Sequence, residues 1–219
     1  MKLKEILNFL NDLEKNNTRE WMTENKPYYL QAKSAFEQFI QELIDNLAIT
    51  DPDLTHLTAK ECTFRLYRDV RFSKDKTPYK TNFGADIKKG GKKTRIASYY
   101  VHIQPGKSFI AGGMYMPSSE TLSAIRQEID YQADELKKIL SNPTFKSRFG
   151  SLQGDRLKRA PKGYQPDDPN IDLLRHKSFI VVDDVTDSVL VKKDFTDHVV
   201  QTFDLLKPFN QFLNRALDE

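Results

Sequence analysis

Apolar residues in this chain recur at helical spacing, then alternate singly with polar ones, then return to helical spacing, which predicts helices at both ends with a sheet between. Leu3, Ile6, Leu7, Leu10 and Leu13 form one stripe of an amphipathic helix. Asn16, Asn17 and Thr18 stop it and offer an N-cap for a short second helix carrying Trp21. Pro27 opens a longer helix in which Tyr29, Ala32, Phe36, Phe39, Ile40, Leu43 and Leu47 keep the 3.6-residue period. The Asp-Pro-Asp turn at 51–53 closes this N-terminal helical segment, residues 1–50.

The period then changes to two. Cys62, Phe64 and Leu66 alternate with Thr63, Arg65 and Tyr67, which predicts a half-buried strand over residues 62–72. Residues 81–87, 95–104 and 109–116 read as further strands, the last two joined by a Pro105-Gly106 turn. Links this short require antiparallel pairing across residues 60–116, because a parallel crossover needs a dozen residues or more. After Pro117, Ser118 or Ser119 caps a helix with Leu122, Ile125, Ile129, Leu136 and Leu140 on its face. A loop-rich stretch follows, then a short helix that Asp167 or Asp168 starts ahead of Pro169. A fifth strand is expected at 179–182, and a last helix over 195–217, bent or broken before Pro208. The expected fold class is α+β: one domain spanning 1–219, its antiparallel sheet flanked by N-terminal and C-terminal helices, with residues 118–219 supplying helices and the further strand.

Composition narrows the class. With 38% apolar and 11% aromatic residues, the 219-residue chain has the means to build a core, so a disordered chain is excluded. No apolar run approaches the roughly 18 residues that span a bilayer, so no membrane partner is expected. The single cysteine, Cys62, rules out an intrachain disulfide framework and fits a reducing compartment, hence a cytoplasmic location. Its place in the core phase reads as a small buried hydrophobe rather than a nucleophile.

Charge locates the chemistry. Residues 64–95 hold 11 Lys or Arg against 3 acids, a balance of +8, whereas the whole chain is only +3 and the remainder therefore sums to −5. Concentrated positive charge calls for an anion, internal or borrowed. Arg65, Arg68 and Arg71 surround Asp69, and guanidinium is the side-chain group best shaped for forked contact with carboxylate or phosphate. A second basic segment, Arg156, Lys158, Arg159 and Lys162, either supplies another wall of a cleft or neutralises Asp167, Asp168 and Asp172.

The spacing R-x-x-R-D-x-R-F followed by D-K-x-x-Y is here Arg65, Arg68, Asp69, Arg71, Phe72, Asp75, Lys76 and Tyr79. It resembles the signature of a bacterial family known as domain of unknown function 2461. Asn16, Asn17, Arg19 and Trp21, the pair Gly112-Gly113, and the LKRAPKGY run at 157–164 are similar to that family as well. Met22 departs from it where an aromatic would be more typical, a difference of packing. The resemblance covers nearly the whole chain and implies one conserved domain, with no reaction attached.

Alternation within the predicted 62–72 strand puts Phe64, Leu66, Arg68, Val70 and Phe72 on the core face, so a carboxylate or a bound anion must meet Arg68. Arg65, Tyr67, Asp69 and Arg71 take the other face, with Asn82, Gly84 and Asp86, and with Ser98, Tyr100, His102 and Gln104, on the next two strands. The first reading is a polar cleft for a small anion, phosphate or carboxylate. Its binding candidates are Arg65, Arg68, Asp69, Arg71, Lys76, Tyr79 and Tyr100; its proton-transfer candidates are His102, Asp69 and Asp86. The second is a nucleic-acid binder or metal-dependent nuclease, in which Asp69, Asp75 and Asp86 hold the ion and Lys88 polarises water. The third is a structural or interaction protein whose arginines and aspartates form an internal network. Gly106-Lys107-Ser108 lacks the glycine a P-loop needs at position 101, and the histidines at 56, 102, 176 and 198 are too scattered for a sequence-local zinc site. Cofactor and oligomeric state are not specified by any motif.

Overall fold

A computed structural model describes residues 2–217 of the chain. The elements follow the order α1 (Lys2–Lys15), α2 (Arg19–Glu24), α3 (Lys26–Ala48), α4 (Ala59–Cys62), β1 (Phe83–Ile87), β2 (Ser98–Ile103), β3 (Ser108–Met114), α5 (Ser119–Ser141), α6 (Pro143–Phe149), α7 (Ile171–Leu174), β4 (Phe179–Val185), α8 (Asp187–Leu190) and α9 (Phe195–Arg215). The strands form one antiparallel sheet in the order β1-β2-β3-β4, so the fold is α+β as the periodicities predict. Contacts divide the chain into two compact units. The first holds the described residues up to Thr94, Tyr100–Ile110 and Asp184–Val200; the second holds Arg95–Tyr99, Ala111–Asp183 and the described residues from Gln201 onward.

In the first unit, the Thr18 hydroxyl accepts the backbone N–H of Trp21 and starts α2, as its sequence position implies. Helices α1 and α3 present an aromatic face on which β1 lies. Phe83 stacks against Phe36 at 5.2 Å and Phe9 at 6.1 Å between ring centroids. Because β1 alternates, packing Phe83, Ala85 and Ile87 inward turns Asn82, Gly84 and Asp86 to the opposite face.

In the second unit, Ser118 caps α5 through the Thr121 N–H, and Asn142 caps α6 through the N–H groups of Thr144 and Phe145. The short helix α6 carries no long periodic run and is absent from the sequence reading. Gly113 is where a glycine is obligatory: its φ is +108°, and a Cβ there would sit 2.0 Å from the Phe179 carbonyl oxygen on β4. Gln153 bridges to Ile180 on β4 and Arg156 to His176 just before it, which orders the start of the second basic segment.

Three sequence expectations are corrected. Residues 62–72 form no strand, so the sheet has four strands. Thr58 and Glu61 close a capping box that starts α4 and draws Cys62 into a helical turn. Beyond it, backbone pairing is limited to the bridges Thr63↔Ala85 and Tyr67↔Tyr79, because the Asp69 and Asp75 carboxylates accept the backbone N–H groups of Arg71 and Thr77 in place of a ladder. The assigned phase fails with the strand: Leu66 is buried, but Phe64 is 39% exposed and Phe72 is 97% exposed. Lastly, α9 runs through Pro208 as one helix. Its Phe203, Leu206, Phe209, Phe212 and Leu213 are buried, and that packing outweighs one missing backbone hydrogen bond.

Candidate functional site

The face of β1 and β2 turned away from α1 and α3 carries a connected polar row. Tyr100 and His102 lie two residues apart on β2 and so project the same way. Tyr100 lies across Gly84 of the neighbouring strand, where an added Cβ would come within 2.5 Å of the phenol oxygen. The His102 ring Nδ1 is 3.3 Å from the Tyr100 hydroxyl and 3.5 Å from the Asn82 amide nitrogen. Its Nε2 is 3.1 Å from Gln104 Oε1, and the Gln104 amide nitrogen donates to the Thr81 hydroxyl at 3.3 Å. Gln104 Oε1 can only accept, so Nε2 carries the proton and Nδ1 is the lone-pair side, facing two donors. The row thereby fixes one tautomer.

Burial sets the charge of these groups. It pushes the His102 pKa below its ordinary value, against the opposing hydrogen bond that His102 donates to Gln104 and assisted by Lys80, so the imidazole is neutral near pH 7. Burial, then Asp86, pushes the Tyr100 phenol up to about 12. Phe109 stacks flat on His102, centroids 4.5 Å apart and planes 10° apart, and Phe64 tilts against Tyr100 at 6.4 Å. Beyond His102, a groove of about 700 Å³ is lined by Gln104, Lys107, Phe109, Asp184 and Thr186.

Lys80 completes the row and is absent from the sequence-based candidates. The signal for it was there: alternation carried two residues upstream of Asn82 puts Lys80 in phase with Asn82, Gly84 and Asp86. Its ammonium sits 5.6 Å from the Phe64 ring and has no carboxylate partner among the described residues. Burial, then the nearby Arg65 guanidinium, pushes the Lys80 pKa down. Arg65 itself is exposed and likewise has no ion pair among the described residues.

The rest of the arginine motif folds into a loop that satisfies itself. Arg68 meets the Asp75 carboxylate and the Thr77 hydroxyl in close contact, with Ser73 at 3.4 Å. The carboxylate expected to meet Arg68 is therefore Asp75, but the arginine is 26% exposed and sits in a loop, not on a core-facing strand. The Thr77 backbone N–H, then Arg68, hold the Asp75 pKa down to about 2. Arg71 grips Asp69 through Nε at 3.0 Å and Nη2 at 2.7 Å, and Lys76 donates to the Val70 carbonyl at 2.9 Å. Tyr79 is buried edge-on against Tyr67, and Asn17 clamps its backbone through both amide atoms at 3.0 and 3.1 Å. Two pieces of the family-like pattern, Asn17 and Tyr79, thus anchor the base of this loop.

Asp86 pairs with Lys88 at 2.7 Å, with side chains 16% and 10% exposed. With Asp69, Asp75 and Asp86 each held by a cation, every carboxylate of the metal-dependent reading is already engaged. Among the described residues, no three His, Cys, Asp or Glu side chains converge as a metal site would require. Also among them, no helix is long and apolar enough to cross a membrane. Cys62 is fully buried, and burial pushes its thiol up to about 12, the inert condition expected of it. The structure thus joins Asn82, Tyr100 and His102, while Arg68, Asp69, Arg71 and Lys76 belong to a separate, self-bonded loop.

One protein family matches residues 5–212; its description is conserved hypothetical protein (DUF2461). No curated protein and no solved structure shows a significant match to the chain.

Proposed function

The chain belongs to the conserved hypothetical protein family (DUF2461), a membership that brings no reaction with it, and we propose from its geometry that it binds a small anionic ligand, phosphate or carboxylate, beside the His102 row. The observation that carries this reading is Lys80: a half-buried ammonium against an aromatic ring and a neighbouring guanidinium, with no carboxylate partner among the described residues. Such a cation is destabilised by desolvation and by like charge, and a bound anion reverses both effects. Lys80 and Arg65 supply the charge, while the Asn82 amide, with a second N–H besides the one facing His102, supplies a neutral donor in the row. Neutral His102, with its Nδ1 lone pair inside the row, is the group suited to take up a proton when a ligand arrives in its acid form. Arg68, Asp69, Arg71 and Lys76 are better read as an internal network, since each already has its partner within the loop.

The test is titration with inorganic phosphate and with a simple dicarboxylate, followed by calorimetry and by the His102 ring resonances. Binding should raise the His102 pKa, because an anion favours the imidazolium. Lys80→Met should weaken binding roughly tenfold or more, the worth of one charge-assisted hydrogen bond. Absence of binding, or equal affinity in Lys80→Met, refutes the reading. Oligonucleotide cleavage that needs magnesium and disappears in Asp86→Asn would replace it with the nuclease reading.

A further inference from the structure

Lys33 and Lys88 are half-buried, and each pairs with a carboxylate, Glu37 at 3.5 Å and Asp86 at 2.7 Å. Lys80 is half-buried too, but no carboxylate among the described residues reaches it, and its ammonium lies 5.6 Å from the Phe64 ring. The backbone fixes this company. The Lys80 N–H donates to the Leu66 carbonyl at 2.8 Å and the Phe64 N–H to the Gly84 carbonyl at 2.9 Å, which lays residues 64–66 beside residues 80–84. Burial, then the Arg65 guanidinium, disfavour the charged amine and leave more of its free base at neutral pH. A lysine set against an apolar ring and a second cation, with no carboxylate to hold its proton, is an amine activated as a nucleophile.

We propose that Lys80 captures a 2-oxo acid as an imine while Arg65 holds its carboxylate, an inference that rests on anion binding at Lys80. The two cations select this class. Arg65 is exposed and has no ion pair among the described residues, so its fork is open to the two oxygens of a carboxylate. An oxo group on the adjacent carbon is then presented to the amine on the neighbouring segment. A simple aldehyde lacks the anion that Arg65 would hold, and inorganic phosphate lacks the electrophilic carbon. In the step itself the Lys80 nitrogen lone pair bonds to the oxo carbon, and the C=O π pair moves to oxygen. Both protons of the amine end on that oxygen, which leaves as water as the C=N bond forms. No oxidant or reductant is needed. Neutral His102, close enough for Lys80 to act on its pKa, is the proton carrier of the row.

Trapping of the full chain with pyruvate and sodium cyanoborohydride at neutral pH, mapped by peptide mass spectrometry, tests it, with acetaldehyde in a parallel arm. Pyruvate should label Lys80 about tenfold more than any exposed lysine, because an anchored carboxylate keeps the carbonyl at the amine. Acetaldehyde should show no such preference, and saturating phosphate should protect Lys80 from pyruvate. Arg65→Gln should raise the pyruvate concentration for half-maximal trapping by about tenfold while keeping the wild-type melting curve. The wild-type map decides the matter without any variant. Pyruvate label spread evenly over the lysines, no label at Lys80, or equal selectivity for pyruvate and acetaldehyde overturns the proposal. Phosphate binding that is lost in Lys80→Met, with no pyruvate trapped, overturns the imine and leaves the anion site standing. Calorimetry without reductant that finds neither phosphate nor dicarboxylate bound removes the anion site, and the imine proposal with it.

Discussion

The two polar regions of the first unit are built on opposite plans. In the loop of residues 68–77 Arg68, Asp69, Arg71, Asp75 and Lys76 each meet a partner within seven residues of sequence, and the network is largely open to solvent. On the sheet face the partners come from different segments: Thr81 and Asn82 reach Gln104 and His102, about twenty residues away, beside the half-buried ring of Phe109. The loop is rich in charge and compensates it. The sheet face is poorer in charge and leaves one half-buried cation, Lys80, without a carboxylate partner among the described residues. Density of charge marked the loop in the sequence, whereas uncompensated charge marks the better binding candidate.

The sharpest way to break this comparison is to disturb the sheet row alone. Gly84→Ala drives a methyl group into the Tyr100 hydroxyl, at 2.5 Å, and the ring cannot yield without shifting His102. Overpacking of this kind costs about 1–3 kcal/mol and should also abolish phosphate binding, measured by denaturation and calorimetry. If Gly84→Ala binds phosphate like the wild type, the row is not the site.

Arg68→Ala removes the hub of the loop, and its expected cost in chemical denaturation is about 1 kcal/mol, because the pair is substantially solvated. Arg71→Ala, whose side chain is 76% exposed, should not move the denaturation midpoint resolvably, and neither variant should alter phosphate affinity. A loss of phosphate binding in either variant would return the ligand to the loop.

Acid separates the two regions by sign and by window. His102 is held below its ordinary 6.5, so the folded state favours the neutral ring; that contribution is complete above pH 6.5 and is lost as pH falls toward the folded value. Asp75 is held at about 2 against an ordinary 3.8, so its contribution is complete above pH 3.8 and is lost as pH falls toward 2. Urea midpoints followed from pH 7 to pH 2 should fall in two stages. His102→Gln should shrink the first, which His176, pushed down to about 4 by its burial, shares, and Asp75→Asn should shrink the second, which Asp69 shares; a loss from the same stage in both variants would mean that the two regions are one network.

Much of this was legible in the sequence. Helical periodicity located α1, α3, α5 and α9, the Thr18 cap located α2, and alternation from residue 81 onward located β1 and β2 with Asn82, Gly84, Asp86, Tyr100 and His102 in one phase. These features are written in spacings of two to four residues, and hydrophobic burial enforces them wherever a face meets a core. The family-like motif was legible too, and its local pairs follow from neighbouring side chains.

What only the tertiary structure decided is how each pattern ends. Alternation in residues 62–72 was overruled because Thr58 and Glu61 start a helical turn, and because Asp69 and Asp75 accept backbone N–H groups that a sheet partner would otherwise have to accept. Pro208 was carried inside α9 because an apolar face already packed holds the helix through one absent bond. The His102 tautomer depends on Gln104 and Asn82, and the state of Lys80 depends on Phe64, Arg65 and the carboxylates that do not reach it. Periodicity is a property of neighbours along the chain and can be read there. Compensation of a buried charge is a property of neighbours in space, and the fold alone brings those together.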